Sequence, residues 1–341
     1  MTSLNTGCIL MNIGTPDHPT TSSIRKYLKE FLSDPDVIDS NKIIRWMIVN
    51  LIVSPFRPKK ILHQYESIWT KDGSPLLANS KEFSLNLSNL LPEFNIEIGM
   101  RYGNPSILKA VKNLKNLGIN NILLIPMFPQ YAQATSGTCI QAAKEIIKEE
   151  IPDSKITLIE KFYSEDFYIK CLVEKISNSL EYKECEYLLF SFHGLPERQI
   201  KRLDKSGQHC MVKNKCCEEI CDSNINCYKA HCTQTVNKVV EQLKPSVEYS
   251  ICFQSRFGLD KWLSPNITDV METLSNKGIK KVAVVCPSFT FDCLETLEEI
   301  AIRNNETFVK ELNGEYLKLI PSLNNEKYWV KNFSEFIKRS I

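Results

Sequence analysis

At 341 residues, with 43% hydrophobic and 24% charged residues, the chain is long enough for two domains or one large double-lobed body. Its formal net charge is +2 and its basic residues are spread along the chain, which argues against nucleic acid as a partner. Met1–Gly14 lacks a basic leader, and no apolar run reaches membrane-spanning length, so a cytoplasmic protein is expected, with membrane contact limited to a peripheral touch on the inner membrane.

In chain order the pattern is strand, turn, helix. Cys8–Ile13 reads as a strand ending at Gly14-Thr15-Pro16. Ile43–Phe56 follows, an apolar stretch broken by Arg45 and Asn50; its simplest reading is a buried or half-buried helix, and its sharper reading an apolar lip for a hydrophobic ligand or a membrane surface. Ile96–Tyr102, Ile122–Ile125 and Lys155–Ile159 are the next strands, with a helical pattern at Ser106–Leu117. The second half repeats the grammar with strands at Tyr187–Phe192, Tyr249–Phe253, Lys281–Cys286 and Tyr316–Ile320.

Gly118–Pro126 and Gly278–Pro287 share a glycine that ends a helix, an apolar strand and a closing proline. This faint duplication, with strands alternating with helices, predicts an α/β protein of two similar Rossmann-like lobes. Each lobe is expected to hold a parallel four-stranded sheet flanked by helices, with a cleft between the lobes.

Open parallel sheets keep their ligands at the carboxyl ends of the strands. His193 stands at such an end, in SFHGLPER (Ser191–Arg198), where Gly194 and Pro196 stop the strand. After Cys286 comes a predicted helix carrying Asp292, Glu295 and Glu299 at i, i+3 and i+7, which places the three carboxylates on one face. The bland alternatives are a satisfied core histidine and an Asp292–Glu295 capping pair. Gly-x-Gly-x-x-Gly, Walker and nucleophile-elbow motifs are absent, which leaves acid–base or metal chemistry on a bound ligand.

Thirteen cysteines divide into two groups. Cys8, Cys139, Cys171, Cys185, Cys252, Cys286 and Cys293 sit among apolar neighbours and read as small core residues. Cys210, Cys216, Cys217, Cys221, Cys227 and Cys232 crowd into residues 209–232. Structural thiols, a zinc site drawing on His209 or His231, and a two-iron two-sulfur cluster all fit that segment.

SFHGLPER, CFQSRFG (Cys252–Gly258) with WLSP (Trp262–Pro265), and CPSFTFDCLETLEEI (Cys286–Ile300) resemble signature segments of the ferrochelatase family. NIGTPD (Asn12–Asp17), GSPL (Gly73–Leu76), RYGNPSI (Arg101–Ile107) and FPQYAQATSG (Phe128–Gly137) follow the same order, so the likeness spans nearly the whole chain. It implies a lyase that inserts ferrous iron, its substrate, into protoporphyrin IX in the last step of haem synthesis. His193 is then the histidine at the macrocycle, as proton acceptor or iron ligand, and Glu295 its partner carboxylate. Asp292 and Glu299 continue an acidic path, and Arg57, Ser74, Arg101 and Tyr131 face porphyrin or entering metal. Position 13, often tyrosine or methionine in relatives, is Ile13 here, which cannot touch iron.

The same resemblance favours an iron–sulfur cluster in the internal cysteine segment, with Cys210, Cys216, Cys217 and Cys227 as ligands, Cys221 as competitor and zinc as the alternative. Cys232 is disfavoured, because relatives without a cluster also tend to have a cysteine there. The lobes are expected over residues 1–160, with a helix at about 322–341 packing back, and 161–321. Porphyrin is the expected partner, with an upstream haem-pathway enzyme as a further one. The rival readings are a chelatase for coproporphyrin or for sirohydrochlorin and cobalt, and a non-catalytic haem or iron carrier.

Overall fold

The computed structural model describes residues 6–256, 258 and 260–341. Phe257, part of the CFQSRFG segment, and the first five residues lie outside the described residues. Two compact units divide the chain: Met1–Phe128 with Gln133–Lys161 and Asn325–Ile341, and Pro129–Ala132 with Phe162–Asn324.

In the first unit, β1 (Thr6–Thr15), β2 (Phe94–Gly103), β3 (Asn121–Pro126) and β4 (Lys155–Leu158) form a parallel sheet in the order β2-β1-β3-β4. In the second, β5 (Tyr187–His193), β6 (Glu248–Gln254), β7 (Lys281–Val285) and β8 (Tyr316–Ile320) pair in parallel as β6-β5-β7-β8. The two orders are the same. Helices cover the faces, so the central strands are buried on both sides and read as continuous apolar runs instead of alternating ones. All eight strands expected from the sequence are present, and so is the predicted pair of helix-flanked parallel sheets.

The duplication extends to individual hydrogen bonds. Helix Ile107–Asn116 ends at Gly118, whose N–H donates to Lys115 O at 2.9 Å while Ile119 N donates to Leu114 O at 3.1 Å. Helix Ile267–Asn276 ends at Gly278 with the corresponding bonds, Gly278 N to Ser275 O at 2.9 Å and Ile279 N to Leu274 O at 3.0 Å. Both glycines take the positive φ that this helix ending requires. Upstream, Met100 N donates to Pro105 O at 2.7 Å and Phe253 N donates to Pro265 O at 2.9 Å. Met100 pairs with Asn12 and Phe253 with Phe192. Their next residues in sequence, Ile13 and His193, therefore occupy corresponding ends of the two leading strands.

The carboxyl-terminal helix Lys327–Arg339 belongs to the first unit, where Trp329 and Phe333 pack on Phe83 of helix Pro75–Leu90 with ring centroids 5.9 and 5.4 Å apart.

One expectation needs correcting. Ile43–Phe56 is helical, running through Lys42–Met47, a π-helical Ile48–Val53 and the start of Ser54–Ile68, but it is not a buried helix. Val49 and Val53 are buried, whereas Ile43, Ile44, Trp46, Met47, Leu51, Ile52 and Phe56 are exposed. Too many positions are apolar for one face to bury them, so most of the stretch is left facing outward. Among the described residues no helix is long and apolar enough to cross a membrane.

Candidate active site

The second unit places His193 on the last residue of β5, paired with Gln254 on the last residue of β6. The next residue, Gly194, donates its N–H to Gln254 O at 2.8 Å. A Cβ at position 194 would stand 2.7 Å from that same oxygen and 3.3 Å from the Trp262 ring, so only glycine permits the approach. His193 Nδ1 lies 2.7 Å from Gly194 O, which can only accept, so Nδ1 is the donor in that contact and Nε2 is the ring nitrogen left for other work. Ser288 Oγ, on the turn after β7, accepts from His193 N at 3.4 Å.

Gln254 is fully buried and uses both ends of its amide. Oε1 accepts from Ser191 Oγ at 2.7 Å and from the Cys286 thiol at 3.7 Å. Nε2 donates to Glu295 O at 2.7 Å and reaches Glu299 Oε2 at 3.4 Å. One side chain thus joins β5, the end of β7 and the acidic helix. Reading the sequence missed it as a site residue; the available signal was a single amide closing the apolar end of β6, Ile251–Phe253.

The acidic segment differs from the expected helix. Helical winding begins at Leu294, after an N-cap at Cys293, and becomes π-helical over Leu297–Asn304. Asp292 therefore precedes the helix, and the three acids do not share one face. The expected Asp292–Glu295 capping pair is replaced by Cys293 and Thr296, with Cys293 N donating to Thr296 Oγ1 at 3.0 Å.

Asp292 accepts from Thr296 Oγ1 at 2.9 Å, Ser322 N at 3.2 Å and Asn324 Nδ2 at 2.7 Å, so its oxygens are committed within the fold. The wider π turn carries Glu299 to the strand ends, where Ser255 N donates to Oε1 at 2.9 Å and the Ser255 hydroxyl bonds Oε2. Ser255 takes a φ of 64°, a conformation unusual outside glycine, which lets its N–H and hydroxyl grip the same carboxylate. Glu295, half-buried, is bonded through its side chain to the Cys293 thiol, which burial and Glu295 itself push well above the ordinary thiol range.

Tyr131 is buried in this same unit, with its N–H donated to His231 Nδ1 at 3.3 Å. The other three residues named by resemblance belong to the first unit. Ser74 is buried and caps helix Pro75–Leu90, accepting from Leu77 N at 3.3 Å. Arg57 is half-buried near the start of helix Ser54–Ile68, and burial lowers its pKa from the usual guanidinium value.

Arg101 donates from Nη2 to Asp34 Oδ2 at 2.6 Å and from Nε to Thr138 Oγ1 at 2.8 Å. Asp34 also accepts from Tyr102 OH and Thr138 Oγ1, each at 2.8 Å. Burial raises the Asp34 pKa, but the Asp36 N–H, these hydroxyls and Arg101 outweigh it and hold the carboxyl below its ordinary range. Asp34 and Thr138 are second residues that reading the sequence did not find. Each is one polar residue in an unremarkable segment, brought to Arg101 by folding alone.

Four of the clustered cysteines converge and two do not. Cys216 and Cys217 have sulfurs 3.7 Å apart, and the Cys227 thiol is hydrogen-bonded to those of Cys217 and Cys210. Those bonds, with backbone N–H groups of Ala230 and Lys229 at a helix N-terminus, lower the Cys227 pKa. Cys210 is pushed up chiefly by burial, and Cys217 chiefly by its bond to Cys227. Asp204 shapes the entry to the segment by accepting from His209 N and Cys210 N, each at 2.8 Å.

Cys221 is exposed, with its sulfur 3.8 Å from His209 Nε2, and Cys232 is fully buried against Tyr228. His231 uses both ring nitrogens in other bonds and is no ligand, while His209 Nε2 lies 3.1 Å from Cys216 O. Among the described residues no three His, Cys, Asp or Glu side chains form a ready-made metal cage. The thiols satisfy one another instead, and a metal would have to displace those protons.

A family model described as Ferrochelatase matches residues 5–341. The ferrochelatase of Coxiella burnetii (strain RSA 493 / Nine Mile phase I) is 42% identical over 339 residues, covering 98% of this chain and 94% of the relative. That of Bdellovibrio bacteriovorus is 37% identical over 335 residues, covering 97% and 98%. Among solved structures, SirB from Bacillus subtilis with Fe3+ aligns with a TM-score of 0.51 over 79% of this chain and 92% of that one; at 14% identity this likeness speaks to the fold alone. A whole-length model match and relatives well above 30% identity lead to one conclusion: this chain belongs to the ferrochelatase family.

Proposed function

We propose that this protein inserts ferrous iron into protoporphyrin IX, the terminal step of haem synthesis, with His193 as the base that receives the displaced pyrrole protons. The observation that carries this reading is the 2.7 Å contact between His193 Nδ1 and Gly194 O at the end of β5. With Nδ1 as the donor there, Nε2 is left to accept a proton. Iron entry releases two pyrrole protons, and an imidazole accepts and passes on protons near neutral pH. Gln254 couples the His193 strand end to the acidic helix through Glu295 O and Glu299.

Glu295 is the partner carboxylate in this reading, since its oxygens are less committed than those of the other two acids. Glu299, gripped by Ser255, lies further along the path. Asp292 supports the path by holding its start in place, not by carrying protons. Carboxylates suit a hydrated ferrous ion without trapping it as thiolates would. Arg57, Ser74, Arg101 and Tyr131 are the porphyrin- or metal-facing contacts. Ser74 acts by fixing its helix start, and Arg101 is aimed by Asp34 and Thr138.

Cys210, Cys216, Cys217 and Cys227 are the ligands of a two-iron two-sulfur cluster in this reading, because a chain of contacts from Cys216 through Cys217 and Cys227 to Cys210 gathers the four thiols that its all-cysteine ligation needs. When bound, such a cluster supplies a covalent staple and a one-electron couple, and no step of iron insertion passes through it. Zinc is the alternative occupant of the same four sulfurs, and it too would have to displace the thiol protons and draw the sulfurs together. The exposed Ile43–Phe56 surface, flanked by exposed Lys42, Lys59 and Lys60 and with no acid between Asn41 and Tyr65, suits peripheral contact with an anionic lipid surface.

The substitution His193→Ala is expected to lower turnover by about 10²–10⁴-fold while leaving metal-free porphyrin binding in place. Near-normal turnover in that variant, assayed anaerobically with ferrous iron, would remove His193 from its role. Protein purified anaerobically is expected to show iron–sulfur absorption that disappears when Cys210, Cys216, Cys217 or Cys227 is changed to serine and survives Cys221→Ser and Cys232→Ser. Colourless protein containing stoichiometric zinc would replace the cluster by zinc. Vesicles containing anionic lipid should co-sediment the protein, and Trp46→Ser with Phe56→Ser should abolish this; unchanged sedimentation would refute the lipid contact.

A further inference from the structure

The helix Tyr228–Leu243 follows directly on Cys227, the last of the four converging cysteines, and its side chains reach both segments that carry the proposed chemistry. Tyr228 is hydrogen-bonded to Ser288, the same residue that accepts from His193 N. One turn on, His231 Nδ1 receives the Tyr131 N–H, and a further turn on, Thr235 Oγ1 accepts from Gln130 Nε2 at 2.9 Å.

His231 is fully buried and its ring stacks on Tyr163, with centroids 4.0 Å apart and planes 13° from parallel. Its Nε2 lies 2.9 Å from Ile225 O, inside the cysteine segment. A carbonyl only accepts, so Nε2 is protonated and Nδ1 is the acceptor for Tyr131. Each nitrogen has a different task. The stacking would serve an apolar ring equally well; the two polar bonds would not.

We propose that His231 is a positioning residue for porphyrin binding: it seats the Tyr131 backbone and, through Ile225, ties that seat to the cysteine segment. This rests on the reading of Tyr131 as a porphyrin contact. The Tyr131 N–H lies in the interior, so without His231 it loses its acceptor where water does not readily replace it, and the short Pro129–Ala132 segment must shift to recover one. The consequence should appear in substrate affinity before it appears in the chemical step.

Asparagine and glutamine separate the two bonds. His231→Asn puts an amide oxygen near the Nδ1 position and keeps the Tyr131 seat; His231→Gln puts an amide N–H near the Nε2 position and keeps the Ile225 link. With metal-free protoporphyrin IX followed by fluorescence, His231→Asn is expected to bind within about twofold of the unaltered protein, and His231→Gln and His231→Phe about tenfold more weakly. Hydrogen exchange should quicken over Pro129–Ala132 in the Gln and Phe variants, and around Ile225 in the Asn and Phe variants.

The same affinity for the Asn and Gln variants would overturn the proposal, even if the Phe variant does not fold. Unchanged exchange over Pro129–Ala132 in His231→Gln would overturn it as well. Tyr131→Ala separates the two levels of the argument. If it binds protoporphyrin like the unaltered protein, the substrate reading of Tyr131 has failed, while the exchange data still judge the tether.

Discussion

The buried amide of Gln254 is the interaction on which the arrangement in the second unit depends. A primary amide sealed from water must find partners for its oxygen and for its nitrogen, at a cost of about 1–3 kcal/mol for each group left unmet. Here those partners come from β5, from the end of β7 and from the acidic helix, so satisfying one side chain fixes three elements relative to one another. The backbone of the same residue accepts the Gly194 N–H, and Gly194 O in turn holds Nδ1 of His193. The orientation of the histidine ring is thus tied to how the strand ends are joined.

Burial also sorts acids that look interchangeable in the chain. Asp292 is used up in holding Asn324, Ser322 and Thr296 together, and Glu299 is gripped by a serine in a strained conformation. Glu295 has the fewest bonds of the three and is half-buried. A carboxylate that exchanges protons or touches a metal needs free lone pairs, and one that organises structure needs them filled. The π-helical turn makes this division possible by rotating Glu299 away from where an α-helix would place it. A comparable division holds among the cysteines, where four sulfurs converge and Cys221 and Cys232 are held apart.

Much of this was legible before folding was considered. The four central strands announced themselves because strands buried on both faces are near-continuous apolar runs, here closed by glycine or proline, and the duplicated segment foretold two similar lobes. His193 was visible from its place at a strand end. What the chain hid was of three kinds. Gln254, Asp34 and Thr138 are single polar residues whose partners lie far along the chain, so no local pattern marks them. The helix after Cys286 looked α-helical throughout because periodicity does not foresee a π turn. Ile43–Phe56 read most simply as a buried or half-buried helix, with an apolar lip as the sharper reading, because hydrophobicity reports an affinity for apolar surroundings without saying whether the fold supplies them.

Turnover is what separates an enzyme from a carrier. The most direct measurement is an anaerobic assay of the unaltered protein with ferrous iron and protoporphyrin IX, following the loss of porphyrin fluorescence with porphyrin in large excess over protein. Many equivalents of porphyrin should be consumed, and a metalloporphyrin spectrum should replace that of the free base. Loss of fluorescence that stops at one equivalent of porphyrin per protein would contradict this and leave a carrier in place of an enzyme.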